Sequence, residues 1–252
     1  MLELNRIYEG DCLEVMKKID DKTIDMILAD LPYGITACKW DSIIPLEFLW
    51  KQYKRIIKDN GVIVLTASQP FTSKLVMSNL EMFKYEWIWD KVNMYTGAIQ
   101  SRYRPLRRHE SILIFYHNRG IYNKQYRNGQ SYIRQRKKEK GFGESVNRTN
   151  QRIPTINNGK HNPCSILPIR ARLPEEQGLH PTQKPVALFE YLIRTYTYRG
   201  NLILDNVAGS GTTAVACINT GRNYILIEKE KKYVELARQR IKNIQPILEG
   251  IK

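Results

Sequence analysis

Two groups of residues in this sequence have the types and spacing to do chemistry. The first is Asp30-Leu31-Pro32-Tyr33-Gly34, which closes the apolar run Ile24-Asp25-Met26-Ile27-Leu28-Ala29. A carboxylate, a rigid proline and an aromatic ring at a strand tip suit one task, which is to hold a planar base that carries an amino group. The base would stack on Tyr33. Its amino group would donate to Asp30 and to a main-chain carbonyl at Leu31 or Pro32. Those bonds draw the nitrogen toward tetrahedral geometry and free its lone pair to attack an electrophilic methyl. The positive charge that develops is stabilised by the carboxylate. Such chemistry needs the base outside its stack. The same residues are also what an ordinary proline turn after a strand contains.

The second group runs from Leu202 to Glu228. An apolar strand ends at Asp205, and the turn Asn206-Val207-Ala208-Gly209-Ser210-Gly211 leads into a helix from Thr212. Two glycines let the backbone come close to a ligand, and the helix start offers free amides to an anion. The next strand ends at Glu228, 17 residues after Gly211. An acid there can accept from both hydroxyls of a ribose, the logic of nucleoside binding in doubly wound folds. Position 214 is alanine, so the third glycine of G-x-G-x-x-G is missing. Spacing alone leaves a nicotinamide dinucleotide open as the ligand.

These groups need a scaffold, and hydrophobic periodicity supplies one. Strands are expected at Leu4–Asp11, Ile24–Asp30, Val62–Ser68, Tyr85–Lys91, His109–His117, Asn201–Leu204 and Asn223–Glu228. Helical spacing marks 12–19, 46–57, 70–82, 185–197, 212–220 and 231–243. Asp59-Asn60-Gly61 is expected to stop the second helix, and Gly221 to close the fifth. Buried strands alternating with helices imply an α/β fold: a mostly parallel, twisted sheet with helices on both faces and ligands at the strands' carboxyl ends.

Charge separates one segment from the rest. The chain carries 40 Lys and Arg against 25 Asp and Glu, a formal net of +15. Between Arg119 and Arg172 there are 13 Lys or Arg and 2 Glu, a local net of +11. That segment is rich in Asn, Gln, Gly and Tyr and has little apolar periodicity. It reads as an irregular basic insertion, with residues 118–177 set into a catalytic domain made of 1–117 and 178–252. Concentrated positive charge favours a polyanion, because each phosphate contact releases counterions. The basic residues Arg134, Arg136, Lys137 and Lys138 are expected to follow a nucleic-acid backbone. Arg102, Arg104, Arg107 and Arg108 form a second cluster near the catalytic side. Tyr122, Tyr126, Tyr132 and Phe142 could stack on bases.

Other features exclude classes. Cys12, Cys38, Cys164 and Cys217 form no C-x-x-C pair, and the four histidines show no ligand spacing, so no metal site and no disulfide framework is expected. MLELNRIYEGD contains acids and no apolar core, so a secretion signal is not expected there. No stretch approaches the roughly 20 apolar residues of a membrane helix. These features predict a cytoplasmic protein.

The segment Ala208-Gly209-Ser210-Gly211-Thr212-Thr213 resembles the S-adenosylmethionine motif D-P-F-A-G-S-G-T-T of DNA amino-methyltransferases, with Asn206 and Val207 where that motif has Pro and Phe. Asp30-Leu31-Pro32-Tyr33 resembles their D-P-P-Y motif, with Leu31 for the first proline. His180-Pro181-Thr182-Gln183-Lys184-Pro185 is similar to their H-P-T-Q-K-P, and Gly10-Asp11-Cys12 to their N-terminal G-D-C. The order, catalytic motif before cofactor motif with a basic segment between, resembles the β class (adenine-N6/cytosine-N4).

The resemblance implies a Rossmann-like methyltransferase fold and a cofactor pocket formed by Asp11, Lys184, Asp205, Gly209, Ser210, Gly211, Thr212 and Glu228. Asp30, Pro32 and Tyr33 would be catalytic, with Leu31 giving its backbone to the target. The basic segment would be the target-recognition region and double-stranded DNA the partner. Bacterial or phage origin, a cognate restriction endonuclease and a homodimer are common in that class. An acid at position 30 points to adenine, since cytosine-modifying relatives usually carry serine there. The alternatives are the same chemistry on cytosine, an RNA substrate, a catalytically silent DNA-binding protein, and a nucleotide-dependent oxidoreductase.

Overall fold

The computed structural model describes residues 2–34, 42–134, 154–171 and 183–249. They divide into two compact units, one of residues 1–123 with 165–252 and one of Lys124–Cys164. The second is narrower than the 118–177 expected as the insertion.

In the first unit the chain runs β1 (Arg6–Glu9), α1 (Cys12–Met16), β2 (Ile24–Ala29), α2 (Leu46–Ile56), β3 (Ile57–Ala67), α3 (Phe71–Met77), β4 (Phe83–Asp90) and β5 (His109–Phe115). In the second unit four strands of two or three residues pair as ribbons: β6 (Arg127–Asn128) with β9 (Lys160–His161), and β7 (Tyr132–Arg134) with β8 (Thr155–Asn157). The first unit resumes with β10 (Ile166–Pro168), α4 (Val186–Tyr196), β11 (Leu202–Asp205), α5 (Thr212–Thr220), β12 (Asn223–Glu228) and α6 (Lys231–Glu249).

One eight-stranded sheet carries the first unit, in the order β1-β12-β11-β2-β3-β5-β4-β10. All pairings are parallel except those of β5, which runs antiparallel to β3 and β4. The period-two alternation of the strands splits the core in two. Met26 and Leu28 of β2, with Val62 and Val64 of β3, pack with residues of α4, α5 and α6 such as Leu192, Ala216 and Val234. Ile27, Ala29, Ile63 and Leu65 face the other way, onto Met16, Leu49, Tyr53 and Leu75 of α1, α2 and α3. Runs buried on both faces are why β2, β11 and β12 read as unbroken apolar stretches.

The connections fix where a ligand can bind. From β11 the chain crosses through α5 to β12 on one side, while from β2 it crosses through α2 to β3 on the other. β11 and β2 are neighbours. The sheet therefore switches direction between them, and a crevice opens at their carboxyl ends.

Two local expectations are corrected. Asp59-Asn60-Gly61 does not stop α2, which ends at Ile56; the tripeptide lies inside β3. Ile57 already pairs with Ile24, and Met26 pairs with Val62, so three extra residues bulge out of β3. The turn-forming residues are used to make that bulge. A Cβ at Gly61 would lie 2.7 Å from Ile57 Cγ1, so the return fits only glycine. The helix expected at 70–82 is shorter, Phe71–Met77.

Candidate active site

Four neighbouring parallel strands end in acids at the switch point. β1 leads through Gly10 to Asp11, β12 ends in Glu228, β11 in Asp205, and β2 runs into Asp30. The two sequence clusters, 175 residues apart at Asp30 and Asp205, thus stand on adjacent strand tips.

The turn after β11 is built around Asp205. Its buried carboxylate accepts from the Val207 amide at 3.1 Å and from the Thr213 hydroxyl, which ties the turn to the first turn of α5. Burial pushes its pKa up to about 7, with those two bonds opposing and the charges of Asp30 and Glu228 adding to the rise. Gly211 caps α5 at φ +79°, and a Cβ there would lie 2.9 Å from Ala237 Cβ. Gly209 is different: at φ +51° it has nothing within 4 Å of a Cβ position. One glycine closes the turn on the protein, and the other leaves space on its open side.

Glu228 spans the same turn. Its Oε2 accepts from the Gly209 amide at 2.7 Å and its Oε1 from the Glu230 amide at 2.8 Å. Burial raises its pKa, partly offset by these bonds. Each carboxylate oxygen keeps a second lone pair for a hydroxyl donor. Ser210 Oγ donates to Gln183 Oε1 at 3.1 Å, and Thr212 Oγ1 accepts from Arg240 at 3.1 Å. The buried Gln183 Nε2 finds no acceptor among the described residues. Asp11 is exposed and caps α1 through the Leu13 amide at 2.9 Å. Space beside Gly209, a carboxylate at the strand tip and an unused amide donor fit a nucleoside carrying an amino-acid tail.

At the neighbouring tip, Asp30 is held on both oxygens. Oδ1 accepts from the Tyr33 hydroxyl at 2.7 Å and from the Thr66 hydroxyl; Oδ2 accepts from Lys184 Nζ at 2.8 Å. Tyr33 stacks on Phe71 with ring centroids 5.4 Å apart. Burial, then the Asp30 charge, raises the Tyr33 pKa well above the ordinary value, so its hydroxyl stays a donor. Leu31 is buried. Lys184 is also buried and lies 3.1 Å from Glu110 Oε2; Glu110 Oε1 is 2.6 Å from the buried Lys91. Burial alone would lower the Lys184 pKa, yet Asp30 and Glu110 raise it well above the usual lysine value. Burial would likewise raise Glu110, and the two lysines bring it below the usual carboxylate range.

The structure brings Lys184 to Asp30, while Gln183 reaches the turn at Ser210. His180, Pro181 and Thr182 lie outside the described residues. Arg107 bonds Ser68 Oγ at the tip of β3, and Arg108 makes a two-point ion pair with Asp90 at 2.6 and 2.7 Å. Arg102 and Arg104 are exposed in the loop between β4 and β5, beside Ile99 and Tyr103, two of the most exposed apolar side chains described. Tyr122 packs against Tyr196 of α4, ring centroids 6.2 Å apart, and belongs to the first unit. Arg134, Tyr126 and Tyr132 are exposed in the second unit. Arg136, Lys137, Lys138 and Phe142 lie outside the described residues.

Sequence reasoning misses Thr66, Lys91 and Glu110, and places Gln183 only within the H-P-T-Q-K-P segment. Thr66 leaves a trace, a polar residue inside the apolar run Val62–Ala67. Glu110 leaves another, an acid directly after Arg107-Arg108-His109.

At 29% identity, over 97% of this chain and 90% of the relative, the protein is similar to the type II methyltransferase M2.MboI of Moraxella bovis. At 28% it is similar to the type II methyltransferase M.HinfI of Haemophilus influenzae, over 96% of this chain and 70% of that one. The solved structure of M1.HpyAVI in complex with SAM superposes with a TM-score of 0.62 at 25% identity, covering 93% of this chain and 98% of that one. The PvuII cytosine-N4-specific DNA methyltransferase shares the fold, with a TM-score of 0.69 at 15% identity over 92% of this chain and 84% of that one. The architecture is that of the S-adenosylmethionine-dependent DNA methyltransferases. The DNA methylase family model matches residues 24–239, which include both strand-tip sites, and this chain belongs to that family.

Proposed function

We propose that this protein transfers the methyl group of S-adenosylmethionine directly to the exocyclic amino group of an adenine flipped out of double-stranded DNA. The observation that carries the reading is the placement of Asp30 and the Gly209 turn on adjacent strand tips at the switch point. S-adenosylmethionine supplies an electrophilic sulfonium methyl; the rest is work for the chain. Glu228 would take the ribose hydroxyls, Asp11 the adenine ring, and Gly209, Ser210, Gly211 and Thr212 would approach the cofactor with their backbone. Asp205 holds that turn in shape.

Asp30 Oδ1 already accepts two hydroxyl protons, whereas Oδ2 accepts one donor and keeps a lone pair for the target amino group. The Leu31 or Pro32 carbonyl would take the second amino hydrogen. A base stacking on Tyr33 would use the face opposite Phe71. The N–C bond forms as the S–C bond breaks with its electron pair, one amino proton leaves to solvent, and no covalent enzyme intermediate is needed. Arg102 and Arg104 would contact phosphates, and the basic segment 118–177 would read the site, with Arg134, Arg136, Lys137 and Lys138 along the backbone.

Nucleoside mass spectrometry on unmethylated DNA incubated with protein and S-adenosylmethionine tests this reading. N6-methyladenine is expected. N4-methylcytosine would keep the chemistry and overturn the choice of adenine. No methylated nucleoside from a protein that binds S-adenosylmethionine would overturn the reading of DNA as substrate.

A further inference from the structure

Four charged side chains form an alternating chain that leads into the site: Lys91, Glu110, Lys184 and Asp30, with successive N···O distances of 2.6, 3.1 and 2.8 Å. The first three are nearly sealed from solvent, with side-chain exposures of 4%, 12% and 8%; Asp30, at 24%, is the open end. The chain is electrically neutral as a whole. Buried charges persist only when paired, so each member depends on the next.

The open end poses a chemical difficulty. Lys184 donates to Asp30 Oδ2, the oxygen with room for a target amino group. Methyl transfer makes that amino nitrogen positive. An ammonium fixed on the same oxygen would repel the developing charge and weaken Oδ2 as an acceptor. Glu110 Oε2 supplies the remedy. It is ion-paired with Lys184 Nζ at 3.1 Å, is buried, and makes no aligned hydrogen bond among the described residues. It already shares the ammonium with Asp30 and has the capacity to take it over. Its partner oxygen is anchored to Lys91, and β5 carries it from a position beside β4.

We propose that Glu110 is a positioning residue: it draws the Lys184 ammonium off Asp30 Oδ2 when the target amino group arrives, while the ion pair with Lys91 holds Glu110 in place. No proton changes hands; an ion-pair partner is exchanged. The proposal rests on the reading of Asp30 as the acceptor of the target amino group.

The test uses three full-length proteins: wild type, Glu110→Gln, and Lys91→Met with Glu110→Gln. Glu110→Gln leaves two buried ammoniums against one carboxylate, so it should lose both stability and turnover. The double variant removes the surplus charge and should regain stability. With Lys184 held by Asp30 alone, its kcat should stay at least about tenfold below wild type, with S-adenosylmethionine affinity and KM for DNA within about twofold. A double variant that regains wild-type kcat along with stability would overturn the proposal, because Glu110 would then only neutralise Lys91. A stable Glu110→Gln protein with unchanged kcat would overturn it as well. A wild type that methylates no DNA in the same assay would bring down the reading of Asp30, and this proposal with it.

Discussion

The Lys184 ammonium donates to the Asp30 carboxylate at 2.8 Å across 154 residues of sequence. The residue before it, Gln183, accepts from Ser210 Oγ in the turn after β11. Two consecutive residues at the entry to α4 thus join the two strand-tip sites. The segment was expected to serve the cofactor; in the structure it also contacts the carboxylate proposed to be catalytic.

The two glycines of the turn should fail in different ways. Gly211→Ala meets Ala237 Cβ at 2.9 Å and sits at φ +79°. It should destabilise the fold by about 2 kcal/mol or more, from left-handed strain plus overpacking. Gly209→Ala has open space around its Cβ. It should cost only about 1 kcal/mol of strain, yet weaken S-adenosylmethionine binding by about tenfold, since its methyl would enter the space proposed for the cofactor. Urea unfolding and calorimetric titration of both variants check the contrast.

Asp205 makes a pH prediction. Its folded pKa, raised to about 7 from 3.8, means that the folded protein holds a proton which the unfolded chain releases. The folded state binds more protons between these values, so this group's contribution to stability falls as pH rises from about 4 to about 7. Asparagine can replace it without the charge, because the Thr213 hydroxyl can turn from donor to acceptor. Asp205→Asn should therefore gain on wild type in melting temperature from pH 5 to pH 8. A constant difference across that range would contradict the assignment.

DNA binding should divide the arginines. Arg102→Ala with Arg104→Ala should lower the slope of log K against log salt by about 2. Arg108→Ala should change it less, because Asp90 already neutralises Arg108 through two bonds. Neutralising Arg136, Lys137 and Lys138 together should lower it by about 3. Titrations from 50 to 200 mM salt separate these outcomes.

The sequence revealed most of the frame, because β2, β11 and β12 are buried on both faces and read as apolar runs that end on acids. The helix α5 and the strand β12 fall where the periodicity puts them, at 212–220 and 223–228. What stayed hidden depends on partners distant in the chain. The bulge at Asp59-Asn60-Gly61 looked like a helix stop because the same residue types serve both purposes. Glu110 stands out locally only as an acid after three basic residues; its partner is not legible there, because the antiparallel insertion of β5 between β3 and β4 brings it to Lys184. The ribbons β6 to β9 are two or three residues long, too short to show alternation.

The most direct test of the central claim is single-turnover methyl transfer by Asp30→Asn, with S-adenosylmethionine affinity measured on the same protein. Asparagine keeps the size but loses the charge that opposes the positive amino nitrogen. Transfer should fall by at least about a hundredfold, with affinity for S-adenosylmethionine within a few-fold of wild type. Transfer at close to the wild-type rate would contradict the account, because the carboxylate at the tip of β2 would then have no part in the chemistry.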